Sequence, residues 1–220
     1  MSARAFAAYV AHELRTPVAL QLALAEATLA DPNADVVAWR EMGEGVVACC
    51  DQQRRFIDAL LDLACSQHGL ARVEPVDLAA VTSGVLHACD LSNLECAVVL
   101  EPAFAVGDPT LLELLSANLV SNAIRHNNIR DGRIAVATST DTGRAQLSVA
   151  NAGSMVPAGE LARLFQPFER LASNPRRCAE GIGLGLAIVQ SIADAHDATI
   201  TASAPAGGGL EIEVSFPAAQ

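Results

Sequence analysis

The sequence predicts an α+β chain: an N-terminal antiparallel helical hairpin forming a dimeric four-helix bundle, then an α/β sandwich of one mixed sheet covered on one face by helices. Three observations predict it. Residues 4 to about 30 and 36 to about 68 are long helical stretches parted only by the breakers Asp31-Pro32-Asn33-Ala34-Asp35. The second stretch carries two interleaved rows at seven-residue spacing: Trp39, Val46, Gln53, Leu60 and Met42, Cys49, Phe56, Leu63. After Pro75 the heptad pattern stops, and short alternating runs take turns with apolar helical ones. The expected domains are residues 1–69 and 75–220, joined by a linker from Gly69 to Pro75.

Each element has its own signal. A seam of two heptad rows exceeds what one hairpin can bury, so two hairpins are expected to pair into a bundle, the alternative being a hairpin packed on the rest of its own chain. In the second domain Asp77 caps a helix through about 88, and Ala97-Val98-Val99-Leu100 is a strand. Gly107-Asp108-Pro109 starts a helix, with Asp at the N-cap and Pro at the first helical position, and that helix runs to about His126. Ile134, Val136 and Thr138 alternate with smaller or polar residues, as do Leu147 and Val149, and Asp141-Thr142-Gly143 joins them into a hairpin. A long irregular segment, about 152 to 182, precedes a helix from about 183 to 196. A last hairpin, 198 to 217, turns at Ala206-Gly207-Gly208-Gly209.

Composition narrows the function. Half of the 220 residues are hydrophobic, and only 4% are aromatic, so aliphatic side chains must fill the cores. A net charge of −11 argues against nucleic acid or an anionic membrane as partner, because both require a basic surface. All 14 basic residues are Arg, which excludes a Lys nucleophile. The cysteines, 49, 50, 65, 89, 96 and 178, form no metal-binding spacing and suit small apolar roles in a reducing compartment. No run of about 18 apolar residues occurs, so no membrane segment is expected in this chain. A cytoplasmic location follows, either as a soluble chain or as the cytoplasmic part of a membrane-bound sensor.

The first chemical feature is His12-Glu13-Leu14-Arg15-Thr16-Pro17. On a helix His12, Arg15 and Thr16 share one face, while Val10, Leu14 and Val18 fall on another that suits a bundle core. The imidazole is thus left in solvent. Glu13 can accept a hydrogen bond from one ring nitrogen and leave the other nucleophilic. Pro17 has no N–H, so the Glu13 carbonyl loses its helical partner and a hinge is expected there. Read alone, an exposed helical histidine is ordinarily only surface.

The second feature is Asn118-Leu119-Val120-Ser121-Asn122-Ala123-Ile124-Arg125-His126. Asn118 and Asn122 share a helix face, Arg125 flanks them, and Leu114, Leu115 and Leu119 lie opposite. Amide oxygens are neutral hard ligands that suit Mg2+ still holding waters and phosphate oxygens, although two helical Asn are ordinarily polar cover. The third feature, Glu180-Gly181-Ile182-Gly183-Leu184-Gly185-Leu186, ends the irregular segment and opens a helix, a pattern that lets backbone N–H groups approach phosphate.

In this order the segments resemble the sensor histidine kinases of the HisKA class, over nearly the whole chain. His12 to Pro17, with Phe6 upstream, resembles the H box. Asn118 to Asn122 resemble the N box, and Asn151-Ala152-Gly153 stands where the G1 box falls. Phe165-Gln166-Pro167-Phe168-Glu169-Arg170 resembles the F box, and Gly181 to Leu186 the G2 box. The resemblance implies a Bergerat-type ATP-binding sandwich after the hairpin, with the loop between the G1 and G2 boxes as its ATP lid. It implies His12 as phospho-acceptor, Glu13 as assisting acid or base, and Thr16 as the residue that positions water in a phosphatase reaction. It places ATP against Asn118, Asn122, Arg125, His126, Asn151, Gly153, Phe165, Phe168, Gly181, Gly183, Leu184, Gly185 and Leu186. Mg2+ falls to Asn122 and Asn118. A homodimer that passes phosphate to the Asp of a response regulator is implied as well.

Departures keep rivals open. Most of the family has Asp where Asn151 stands; the amide oxygen can still accept a hydrogen bond from the adenine amine, without charge assistance. Met155 replaces the second G1 glycine, and Asp197 stands where the helix after the G2 box usually ends in Gly. A pseudokinase scaffold that binds nucleotide or regulator is therefore one alternative. An ATPase of the gyrase, Hsp90 and MutL type is the other. Those proteins place a general-base Glu where this chain has Asn118, which takes no proton at neutral pH.

Overall fold

The structure, a computed structural model, describes residues 3–67, 69–128, 131–169 and 182–217. The chain divides into two compact units, residues 1–60 and 61–220.

The first unit is the predicted hairpin. Helix α1 (Ala3–Ala30) and helix α2 (Val36–Ser66) are joined by a turn in which the Asp31 carboxylate accepts the Asn33 N–H at 2.9 Å. Asp35 caps α2 by accepting the Ala38 N–H at 2.9 Å, which is worth about 1 kcal/mol. Leu14, Pro17, Gln21, Leu24 and Thr28 of α1 are half-buried at helical spacing, and Gln21 donates to the Gln53 side chain at 3.1 Å across the hairpin. Of the two heptad rows, the one through Cys49, Phe56 and Leu63 is buried within the chain itself. Of the other row, Val46, Gln53 and Leu60 are half-buried and Trp39 remains exposed. A further stripe, Val36, Val47 and Ile57 on α2 with Val18, Leu22 and Leu29 on α1, is exposed and apolar. The heptad rows therefore serve mainly to close the hairpin, and Val18 is on its outside. Seven-residue spacing finds a face without saying which partner covers it.

The second unit holds a five-stranded sheet. The strands are β2 (Glu95–Leu100), β4 (Arg133–Asp141), β5 (Arg144–Asn151), β6 (Thr199–Ser203) and β7 (Leu210–Ser215), in spatial order β2-β4-β5-β7-β6. Strands β4, β5 and β7 alternate buried and more exposed residues, whereas β2 is an apolar run, almost all of it exposed. Only β2 and β4 run parallel, and α4 (Pro109–Arg125) lies on the connection between them. The register sets Val136 opposite Val149 and Val149 opposite Ile212, so inward side chains form rows across the sheet. These rows are buried together with Leu112, Leu115 and Leu119 of α4 and with Ile188 and Ile192 of α5 (Gly185–Ala195). Each such side chain contributes roughly 1.5–3 kcal/mol on burial. Helix α3 (Leu78–His87) is capped by Asp77, whose carboxylate accepts the Ala79 N–H at 3.0 Å.

Three elements escape the sequence reading. Strands β1 (Glu74–Asp77) and β3 (Phe104–Gly107) form a separate antiparallel pair, Glu74 opposite Gly107. The expected linker thus stops at Val73, and Pro75 lies in a strand. Four-residue strands are too short to show a period, and a proline argues against them unless they sit at an edge. Within the segment expected to be irregular, Ala158–Phe165 is a 3-10 helix. Asp197 takes the left-handed conformation expected of it, with φ of 51°.

Candidate functional site

On the hairpin, His12 is exposed, as expected from its helix face, and Leu14 is half-buried. Thr16 is exposed, and its hydroxyl donates to the His12 carbonyl at 3.1 Å within the same helix. The expected bond between Glu13 and the imidazole is not formed. Adjacent helical side chains diverge by about 100°, so i and i+1 do not face each other. Glu13 is half-buried toward the hairpin, and any proton it exchanges with His12 requires a change of rotamer or a water between them.

In the second unit three chain ends converge: the C-terminal half of α4, the end of β5 and the start of α5. Asn151 is the last residue of β5. Its side-chain amide nitrogen donates to the His126 carbonyl at 3.1 Å, so the G1 position is tied to the end of the N-box helix. Asn128 N–H to Ala152 C=O at 2.9 Å and a bridge between Asn127 and Gly153 continue that seam. Gly153 is required here, because a Cβ would run into the His126 carbonyl and crowd the Asn151 amide.

The F and G2 boxes meet through the Phe168 N–H, which donates to the Gly183 carbonyl at 2.8 Å. Both residues have positive φ, 67° for Phe168 and 74° for Gly183. That is ordinary for glycine and uncommon for phenylalanine, and it marks a constrained turn. Phe165 and Phe168 are half-buried, and Arg163 pairs with Glu160 and Glu169 at 2.7 Å. Leu184 and Leu186 are buried core residues, so what they offer a ligand is main chain. Gly181 and Arg170 lie outside the described residues.

The two N-box asparagines differ. The Asn118 amide nitrogen donates back to the Leu114 carbonyl at 2.9 Å, and a Cβ on Gly185 would lie 3.1 Å from its oxygen. Asn118 thus packs against the first residue of α5. Asn122, one turn on, is half-buried, and its amide makes no hydrogen bond among the described residues. The donor set fits a hard cation that keeps most of its own ligands: neutral oxygens with no clustered carboxylates among the described residues, and Asn122 the better placed of the two. Sequence reasoning missed Asn127, which is buried. Its side chain accepts the Asn128 and Arg133 N–H groups at 3.0 and 2.9 Å and donates to the Arg133 carbonyl at 2.8 Å, closing the loop that holds the end of α4. An Asn directly after a helix C-terminus was the available signal.

The geometry at Asn151 bears on its replacement. A carboxylate strengthens the bond to an adenine amine by about 1 kcal/mol. It also loses the bond to the His126 carbonyl, of about the same size, and sets two acceptors against each other in a buried spot. Asn151→Asp is therefore expected to bind ATP no more tightly than wild type, and Asn151→Ala about fivefold more weakly, in calorimetric titration with a non-hydrolysable analogue. Unchanged affinity in Asn151→Ala excludes the residue from the base site.

Comparison with known proteins places the chain in its class. Residues 107–220 match the family described as histidine kinase-, DNA gyrase B- and HSP90-like ATPase, and residues 2–69 match the His Kinase A (phospho-acceptor) domain. The chain belongs to the two-component sensor histidine kinases. It is 38% identical over 216 residues to sensor protein CutS of Streptomyces coelicolor, covering 96% of this chain and 52% of CutS. It is 31% identical over 222 residues to the sensor-like histidine kinase SenX3 of Mycobacterium tuberculosis, covering 98% of this chain and 54% of SenX3. The chain thus spans about half the length of these relatives. Histidine kinase ThkA, solved in complex with the response regulator TrrA, shares the fold with a TM-score of 0.74 at 19% identity, over 97% of this chain and 61% of ThkA.

Proposed function

We propose that this chain is an ATP-dependent protein histidine kinase that phosphorylates His12 and passes the phosphoryl group to an aspartate of a response regulator. In the first step a ring nitrogen of His12 attacks the γ-phosphorus, the bond to the β-phosphate oxygen breaks, ADP leaves, and the N–H proton of the imidazole passes to Glu13 after a change of rotamer or through a water between them. Mg2+, when bound, screens the phosphate charge, and Asn122 with Asn118 would hold it. The observation that carries the reading is the pairing of an exposed His12 with Asn118 at the place where a hydrolysing relative needs a base. Asn118 is an amide bonded into its own helix, and no proton can be routed through it to activate water. The ThkA–TrrA complex supports a response regulator as partner, and Thr16 supports a return reaction that removes phosphate from it. No described helix is long and apolar enough to cross a membrane. Incubation with γ-labelled ATP distinguishes the alternatives: label on the protein supports the kinase, released phosphate the ATPase, and neither the scaffold that Asn151 and Met155 would suit.

The exposed stripe of Val18, Leu22, Leu29, Val36, Val47 and Ile57 supports a homodimer through the hairpin. Light scattering at micromolar concentration is expected to give twice the monomer mass of 22.8 kDa. Val47→Glu together with Ile57→Glu is expected to give the monomer mass with the helix content retained. A wild type that stays monomeric at high concentration rules the bundle out.

A further inference from the structure

Asp108 joins three parts of the catalytic unit. One carboxylate oxygen caps α4, accepting the Thr110 and Leu111 N–H groups at 2.9 and 3.3 Å. The other accepts the backbone N–H of Arg72 at 2.9 Å, in the short segment between the end of α2 at Ser66 and the start of β1 at Glu74. The Asp108 N–H in turn donates to Nε2 of His196 at 3.1 Å, and His196 Nδ1 is 2.8 Å from the Ile192 carbonyl. With Nδ1 facing a carbonyl and Nε2 facing an N–H, the imidazole is the neutral tautomer protonated on Nδ1.

The site is closed around these groups. Asp108 and His196 are both buried, Phe216 packs edge-on to the imidazole with ring centres 6.0 Å apart, and a Cβ on Gly107 would strike the ring. Burial pushes the Asp108 carboxyl up, but N–H donors from Arg72, Leu111, Thr110 and Ala71 outweigh it and hold the group below the usual carboxylate range. Burial holds the His196 imidazole below its ordinary value, against the smaller raising effects of the Ile192 carbonyl and the Asp108 charge.

We infer that Asp108 is a positioning residue for phosphoryl transfer: it locks the segment at Arg72, which leads from α2 into β1, to the first turn of the helix that carries Asn118 and Asn122. Transfer to a residue elsewhere in the chain needs the bound nucleotide held in direction as well as bound, and orientation of this kind acts on the rate of the chemical step more than on affinity. The role rests on the kinase reading, whereas the lock itself does not.

Asp108→Asn separates the two functions of the side chain. Its amide oxygen keeps the helix cap, at which Asn is as good as Asp, while its amide nitrogen now meets the Arg72 N–H as donor against donor. Arg72→Pro removes the same N–H from the other side. Arg72→Ala keeps the N–H and loses only the exposed pair with Glu74 at 2.9 Å.

For Asp108→Asn and Arg72→Pro the expected results are faster amide exchange across residues 69–73, ATP affinity within about twofold of wild type, and a rate of His12 labelling at saturating ATP about threefold to tenfold lower. Arg72→Ala should match wild type in all three. Unchanged exchange in Asp108→Asn overturns the lock. Faster exchange with an unchanged labelling rate overturns the positioning role. Loss of ATP affinity and melting temperature in parallel with the rate reduces Asp108 to a structural cap and also overturns it. A wild type that takes no label defeats the kinase reading and this role with it, and the exchange measurement still reports on the lock.

Discussion

Replacing His12 by Gln is expected to abolish labelling of the protein by γ-labelled ATP while leaving nucleotide binding unchanged. His12 is exposed on α1, and its imidazole has no hydrogen bond among the described residues, so its removal costs little stability. The loss should be complete because no neighbouring group can replace it. Thr16 is bonded to the backbone of its own helix, there is no Lys in the chain, and a carboxylate such as Glu13 gives a phosphate linkage of different stability. Phosphohistidine is acid-labile and base-stable, so treating the labelled wild type with acid and with base identifies the linkage. Label that persists in His12→Gln removes the assignment.

Replacing Asn122 by Ala is expected to weaken ATP binding in the presence of Mg2+ by tenfold or more, and to change binding in its absence by no more than about twofold. The size follows from losing one polar contact to a charged group, about 1.5–3 kcal/mol. The selectivity follows from the amide's freedom, since it holds no other described residue in place and its loss should leave the fold intact. Asn118→Ala should behave differently. The Asn118 amide nitrogen is bonded to Leu114 and the side chain packs against Gly185, so this variant should lose stability along with affinity. Titration of each variant with and without Mg2+, beside its melting curve, tests the distinction. Equal losses for Asn122→Ala in both conditions remove it from the metal site.

The parts legible in the sequence were those with a long period or a strong stop signal. Helix α1 and helix α2 follow from uninterrupted helical runs, and the start of α4 from Asp108-Pro109, whose cap bonds are present as expected. The pair β1 and β3 was hidden because four residues hold barely two alternations, and because the turn signal at Gly107 drew attention away from the strand leading into it. At the site, residue type pointed to Asn118, Asn122 and Asn151, but pattern could not tell which amides are already engaged. Asn118 and Asn151 each commit a nitrogen to a carbonyl, Leu114 in one case and His126 in the other. The His126 carbonyl lies 25 residues from Asn151, and no local spacing reports such a contact. Glu13 shows the reverse case: sequence adjacency to His12 suggested a bond that helix geometry does not make.

Helix α1 continues through Pro17, and the missing N–H there leaves the Glu13 carbonyl without a partner one turn ahead. The missing bond falls one turn past His12, so the order of the turns around it leans on the packing of Phe6, Tyr9, Val10 and Leu14, all half-buried. His12 lies within those turns. The fraction of time for which the acceptor is presented on an intact helix is therefore an adjustable population, and any influence that tightens or loosens the contacts of Phe6 and Tyr9 shifts it without touching the nucleotide site.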